Sequence, residues 1–208
     1  MSWLDGLVKW LQRPTSLNDW RNRHYLAVDL ELTGLSPDSD KILSIGWVAY
    51  DSCGIDLSTA REVIIEGEFE LGQSPAIHGL TQSDLVAGVQ LCDALNSLLS
   101  AVSERADTVL VFHHAALDWA FLHQALESCQ LPSGQWDIVD TMVTEKWLLT
   151  RQGRESQSVS LDACRKRYGL DEHPAHSAME DALATAELML HQCHRFANGP
   201  YRYVPSSG

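Results

Sequence analysis

No stretch of the chain approaches the roughly 18 consecutive apolar residues needed to cross a bilayer. The N-terminus also lacks a basic region followed by an apolar stretch and a cleavage site, so neither a membrane span nor a secretion signal is expected. Cysteine is sparse: Cys53, Cys92, Cys129, Cys164 and Cys193 are odd in number, scattered, and never in a C-x-x-C pair. Neither a disulfide framework nor a thiolate zinc site is expected from them, and a reducing cytoplasm is the natural location. The nine histidines form no H-x-x-x-H or H-E-x-x-H element, which argues against a histidine-rich zinc hydrolase. Basic side chains are few, 15 against 28 acidic ones, for a formal charge of −13. That sign is wrong for a protein that grips long duplexes through their phosphates, so any nucleic-acid contact is expected to be local, with Lys146, Arg151, Arg165 and Lys166 as candidates.

What is present is an ordinary globular composition. At 208 residues, 45% hydrophobic and 21% charged, the chain fits one α/β domain with a core of its own, and no internal repeat or linker divides it. Trp3, Leu4, Leu7, Val8, Trp10 and Leu11 recur at helical spacing before Pro14. Residues 1–22 are therefore expected to be an amphipathic helix and connector, which either caps its own domain or docks a partner or membrane surface. A domain over 23–197 and a tail over 198–208 complete the division.

Within the domain, YLAVDLEL at 25–32, KILSIGWVAY at 41–50 and REVIIEGEF at 61–69 read as three strands in a meander. Thr81-x-x-Asp84 then opens a helix with Leu85, Val89, Cys92, Leu95, Leu99 and Val102 on one face. TVLVF at 108–112 reads as a buried strand, followed by helices over 115–129, 138–149 and 160–168, the last ended by Gly169. A long helix runs from about Ala178 to Phe196.

Asp29 and Glu31 lie two apart on the first strand, so both carboxylates share one face. Two acids on an apolar strand with no Lys or Arg nearby in sequence call for a cation, although D-x-E alone equally fits an edge strand with one solvated face. Asp118 lies in the first turn of the helix after TVLVF, near the carboxyl end of a strand, where open α/β sheets build their sites. It would also suit the helix dipole there whatever the function. His113 and His114 read either as ligands or as loop histidines. Ser177-x-x-Glu180 is a capping box, which puts His176 in the preceding loop and Asp181 in the first turn of the last helix.

The order D-x-E on a strand, Asp after a later strand, then H-x-x-x-x-D at a terminal helix resembles the DEDDh branch of the DnaQ-like 3′-5′ exonucleases, from about residue 23 to about 196. The segments AVDLELTGLSP, IHGLT at 77–81, HHAALDWAFL, SLDACRKRYGL and HSAMEDA are similar to that family's recurring segments, in its order. The resemblance implies a ribonuclease H-like fold: α/β, with a mixed five-stranded sheet flanked by helices. It implies that Asp29, Glu31, Asp118 and Asp181 hold two divalent cations, Mg²⁺ or Mn²⁺, with Asp29 bridging, and that His176 is the general base. Hard oxygen ligands suit those ions, and a pair about 4 Å apart can activate water and neutralise the leaving 3′ oxygen. An imidazole near its reference pKa of about 6.5 can take the water's proton.

By the same resemblance, Leu32, Thr33, Gly34, His78, Leu80 and His114 receive the terminal nucleotide, with Leu32 wedged against its base; Leu32 and Leu80 would equally serve as packing residues. Two departures stand out: family members often carry Asn where this chain has His114, and some proofreading members have a second Thr directly after the glutamate, where it has Leu32. The wording ELTGL is similar to the oligoribonuclease branch and IHGLT to the proofreading branch. The expected activity is release of nucleoside monophosphates from the 3′ end of single-stranded DNA, with short RNA as the alternative. A catalytically quiet module that binds strand ends, or docks a polymerase or repair partner through the N-terminal helix, is a second class.

Overall fold

Apolar residues alternate with acids along His24–Leu32, which forms β1 at the centre of a five-stranded mixed sheet of order β3-β2-β1-β4-β5. β1 pairs antiparallel with β2 (Ile42–Asp51), and β2 with β3 (Gly54–Ile64). On its other side β1 runs parallel to β4 (Thr108–Phe112), which pairs with the short β5 (Ile138–Asp140). The helices are α1 (Gln82–Val86), α2 (Leu91–Ser103), α3 (Ala115–Ser128), α4 (Thr141–Arg151), α5 (Leu161–Arg167) and α6 (Ala178–Asn198). This computed structural model describes residues 17–67, 79–134, 136–172 and 177–198. The expected N-terminal amphipathic helix, His78 and His176 lie outside the described residues.

Period two along β1 splits the core into two layers. Leu26, Val28 and Leu30 face α2 and α3, packing with Leu95, Leu98, Phe121 and Leu122. Tyr25 and Ala27 face the other way, against Ala182, Ala186, Met189 and Cys193 of α6. Each fully buried Leu or Phe side chain contributes roughly 1.5–3 kcal/mol. Trp20, from a 3-10 turn at Leu17–Asn22, is buried in the α6 layer, edge-on to His194 at 5.0 Å, and its carbonyl accepts from the Tyr25 hydroxyl at 2.9 Å.

Three elements depart from their expected course. The third strand begins at Gly54 rather than 61, because a tight turn with Gly54 at φ 151° folds the polar run 54–60 back onto β2. This is an exposed edge strand, so apolar patterning does not mark its first half. The helix expected from Thr81 is two helices. Its start holds, with Asp84 accepting from both the amide and the hydroxyl of Thr81. The chain then breaks at Ala87–Gly88, where Val89 bridges to Ile65. A side chain on Gly88 would meet the backbone of Glu66 and Ile65 at 2.6 and 2.7 Å. The third departure is at 138–149, where the first three residues are β5 and the helix starts at Thr141, capped by the Asp140 carboxylate.

The cysteine reading is corrected as well. Cys92 and Cys129 form a disulfide, Cα atoms 5.6 Å apart, linking the first turn of α2 to the end of α3. A span of 37 residues in sequence leaves no local pattern to read, and closing a loop of that size removes about 4 kcal/mol of entropy from the unfolded chain.

Candidate active site

Asp29 and Glu31 point to the α6 side of the sheet, where β1 leaves its ladder: the register with β2 shifts between Glu31 and Leu32. Opposite Asp29 across the antiparallel pair is Gly46. A Cβ there would lie 2.0 Å from the Ala178 carbonyl carbon and 2.2 Å from the Met179 nitrogen, so the first turn of α6 rests directly on the β2 backbone. One turn along, Asp181 swings toward β1. One carboxylate oxygen from each of Asp29, Glu31 and Asp181 lies within 4.8 Å of the other two.

Asp118, on α3 and 5% exposed, stands outside that set of three but acts on it. Burial, reinforced by Asp118, Asp181, Glu31 and Glu62, holds the Asp29 carboxyl well above the usual carboxylate range. Burial pushes Glu31 up to about 7, with help from Asp181 and Glu62. Asp118 is raised by burial, then by Asp140 and Glu31. Every group that acts on Asp29 is another carboxylate. A buried, all-oxygen anionic set of this kind fits divalent cations.

Because these folded-state pKa values are raised, the unfolded chain releases its protons first. Stability contributed by protonated Glu31 is full below about pH 4.5 and is lost as pH rises through about 7. In EDTA the melting temperature of the wild type relative to Glu31→Gln should therefore fall between pH 5 and pH 8, by an amount on the order of 3 kcal/mol in stability. A difference independent of pH would show that Glu31 is not held this way.

The turn between β4 and α3 presents His114 with its side chain exposed and its backbone in the left-handed region, φ 111° and ψ 49°. That conformation is unfavourable for a non-glycine residue and better tolerated by Asn. It is held by Asp140, whose buried carboxylate accepts from the amides of His114, Ala115, Met142 and Val143 at 3.4, 2.9, 2.8 and 3.2 Å. Asp140 was not singled out in the sequence; its signal was the Asp-Thr pair at a helix start. His113 is a structural tie: Nδ1 meets Thr141 Oγ1 at 2.7 Å and Nε2 meets the Val159 carbonyl at 2.9 Å.

After β1, Asp40 clasps the loop. It accepts from the Ser36 amide at 2.8 Å and the Thr33 hydroxyl at 3.4 Å, and its carboxylate passes so close to Gly34 that a Cβ there would lie 2.5 Å away. Leu32 is partly buried and packs against the α2–α3 layer, while Leu80 is partly buried just ahead of α1. Of the four basic candidates, Arg165 is corrected. It is 4% exposed and ion-paired to Glu187 at 2.7 Å, so it faces no substrate. Lys166 is paired with Asp162 and Glu172, and Arg151 lies over Trp147.

Comparison with known proteins bears on the fold and the family. The chain is 29% identical over 164 residues to the DNA polymerase III subunit epsilon of Treponema pallidum, covering 79% of this chain and 74% of that protein. It is 28% identical over 167 residues to a PolC-type DNA polymerase III of Thermotoga maritima, 80% of this chain but 12% of that much longer protein. Among solved structures, the nuclease domain of 3′hExo, a DEDDh family member bound to rAMP, superposes with a TM-score of 0.68 at 14% identity, over 86% of this chain and 94% of that one. Exonuclease I of E. coli in complex with a dT13 oligonucleotide gives 0.71 at 15% identity, over 84% of this chain and 42% of that one. These likenesses show the ribonuclease H-like fold. Residues 26–189 match the exonuclease family model, RNase_T, and the chain belongs to that family.

Proposed function

We propose that this exonuclease is metal-dependent and works from the 3′ end, releasing nucleoside monophosphates from single-stranded nucleic acid, with DNA preferred. The observation that carries the reading is the convergence of Asp29, Glu31 and Asp181 within 4.8 Å at the end of β1, with buried Asp118 acting on them. Asp29, Glu31, Asp118 and Asp181 would hold two divalent cations, Mg²⁺ or Mn²⁺. Bound there, such ions would supply Lewis acidity to the scissile phosphate and lower the pKa of water. His176, next in sequence to the anchored Ser177, takes the proton of the attacking water.

Thr33, Gly34 and His114, on loops held by Asp40 and Asp140, are the residues we assign to the terminal nucleotide, together with Leu32, His78 and Leu80. The preference for DNA follows the relatives, of which the polymerase III proteins are examples. Short RNA is the second reading, supported by the rAMP bound to 3′hExo. The epsilon-subunit relative supports a polymerase partner, and residues 1–22, with their amphipathic pattern, are the segment proposed to meet it. A cytoplasmic location goes with that partner. No helix among the described residues is long and apolar enough to cross a membrane.

Digestion of 5′-labelled DNA and RNA oligonucleotides with Mg²⁺, Mn²⁺ or EDTA tests the reading. The expected result is a metal-dependent ladder shortening from the 3′ end, faster on DNA. Label released first as a 5′ mononucleotide, or cleavage undiminished in EDTA, would overturn it.

A further inference from the structure

The run KWLLTRQGR at 146–154 breaks the pattern of this acidic chain. Residues 141–154 hold one acid, Glu145, which is 2% exposed and ion-paired with Arg167 at 2.8 Å. With Glu145, Leu148 and Leu149 turned inward, the outer stripe of α4 is Lys146, Trp147, Thr150 and Arg151 at helical spacing. Lys146, Arg151 and Arg154 are exposed, and among the described residues none of them is ion-paired, not even with Glu155, the next acid in sequence. By contrast Arg23, Arg165, Lys166 and Arg167 each hold a carboxylate partner.

Two of these three cations are held in place without being neutralised. The Arg151 guanidinium lies 4.7 Å over the ring of Trp147, one helical turn back. The helix then ends at Gly153, whose φ of 66° lies in the left-handed region that favours glycine, and the Arg154 amide turns back to the Leu149 carbonyl at 2.8 Å. That closure keeps Arg154 beside the last turn of α4. Its guanidinium donates to the side-chain oxygens of Gln152 at 3.1 Å and Gln157 at 2.9 Å, both neutral acceptors. Orientation by a ring and by amide oxygens leaves the charge, and the N–H groups not so used, for an anion from outside.

Both ends of this segment are tied to the turn between β4 and α3. At the start of α4, Asp140 accepts from the His114 amide; after the loop, the Val159 carbonyl meets His113 Nε2 at 2.9 Å. At about 1.5 Å of rise per residue, Lys146 lies about 9 Å and Arg151 about 16 Å along α4 from Asp140. A strand advances at least about 3.4 Å per nucleotide, so this span is no more than about five nucleotides.

We propose that Lys146, Arg151 and Arg154 form a track for the nucleic-acid strand upstream of its 3′ end. The three cations contact backbone phosphates, and the exposed face of the Arg151 guanidinium stacks on a base. This track rests on the reading of the chain as a 3′-end exonuclease and adds to it a preference for length: strands long enough to reach α4 bind more tightly than dinucleotides. A row of separated, un-neutralised cations suits the repeating charge of a strand, and a local track is the form of contact open to a chain of formal charge −13.

The test compares a 5′-labelled strand of about 20 nucleotides with a dinucleotide, using the full chain and Mg²⁺. Replacing all three residues (Lys146→Ala, Arg151→Ala, Arg154→Ala) should raise KM on the long strand by about tenfold and leave kcat within about twofold. On the dinucleotide, KM should change by less than about twofold. For the long strand, the slope of log KM against log salt should fall by about two, at about 0.7 for each phosphate contact on a single strand. Arg151→Lys, which keeps the charge and loses the flat plane, should keep that slope. Should the triple variant melt below the assay temperature, Arg154→Gln alone should still lower the slope by about 0.7. A KM on the long strand within about twofold of wild type, or an equal rise on both substrates, overturns the track while leaving the exonuclease in place. A wild type that shortens neither substrate from its 3′ end overturns the exonuclease reading, and the track with it.

Discussion

Asp29→Asn will abolish turnover and at the same time make the metal-free protein more stable. The substitution keeps volume and shape, opens no cavity, and removes one negative charge from a site where Asp118, Asp181, Glu31 and Glu62 all press on it. The Asn amide can donate to one of those carboxylates at any pH, which the Asp29 carboxylate cannot do once ionised. Relief of repulsion and of the desolvation of a charge is expected to raise stability in EDTA at pH 8 by about 1–3 kcal/mol. Turnover will fall by at least about a thousandfold, roughly 4 kcal/mol of transition-state stabilisation, because one of the carboxylates that would hold the proposed cations is lost. Thermal melts with and without Mg²⁺, beside rates on a labelled oligonucleotide, check both halves. Added Mg²⁺ should stabilise the wild type far more than the variant. A variant that keeps its rate would remove Asp29 from the metal site, and one that melts lower in EDTA would show that the carboxylate is structural.

The opposing signs reflect a division visible throughout the fold. Residues that form the acidic cluster were legible because each combined an acid with a position that periodicity could place. Two residues apart on an apolar strand put Asp29 and Glu31 on one face, and a helix start at Ser177 put Asp181 in the first turn. Residues that bring those acids together were not legible, because their work is done against elements far away in sequence. Gly46 reads as one glycine in an apolar run, although a glycine inside a strand is itself a signal of close backbone approach. Glu62 looks like any solvated residue of an edge strand until α6, 115 residues later, is laid across it. Asp140 is a helix cap locally, and only the packing of β5 beside β4 lets it hold the strained His114 backbone as well.

The elements misread in the sequence fail for similar reasons. β5 is three residues long and too short for any period, and it exists because β4 offers it a parallel edge. α1 and α2 share a helical apolar pattern, yet Gly88 must slip against the backbone at Ile65, so tertiary contact ends one helix and begins another. The Cys92–Cys129 bond joins helix ends that only the folded layer of α2 and α3 brings together.

Gly46→Ala should therefore be nearly as damaging as loss of a metal ligand, although it adds one methyl group and touches no substrate. The new Cβ would lie 2.0 Å from the Ala178 carbonyl carbon and 2.2 Å from both the Ala178 oxygen and the Met179 nitrogen. All three are backbone atoms, so no rotamer can relieve the clash. Carbon atoms rest about 3.5 Å apart at closest, so α6 must lift or slide by about 1.5 Å at its first turn. Asp181 rides on that turn, and cations such as Mg²⁺ tolerate departures of only a few tenths of an ångström from their ligand distances. Overpacking at this crossing should cost about 1–3 kcal/mol of stability, and displacement of Asp181 should cost at least about a hundredfold in kcat. Ile45→Val, one residue away but facing the α2–α3 layer, is the matched control. It loses about 1 kcal/mol through a small cavity and leaves α6 where it is, so its rate should stay near wild type. If Gly46→Ala instead turns over as fast as Ile45→Val, the first turn of α6 does not rest on β2 during catalysis, and Asp181 must reach the cations by another route.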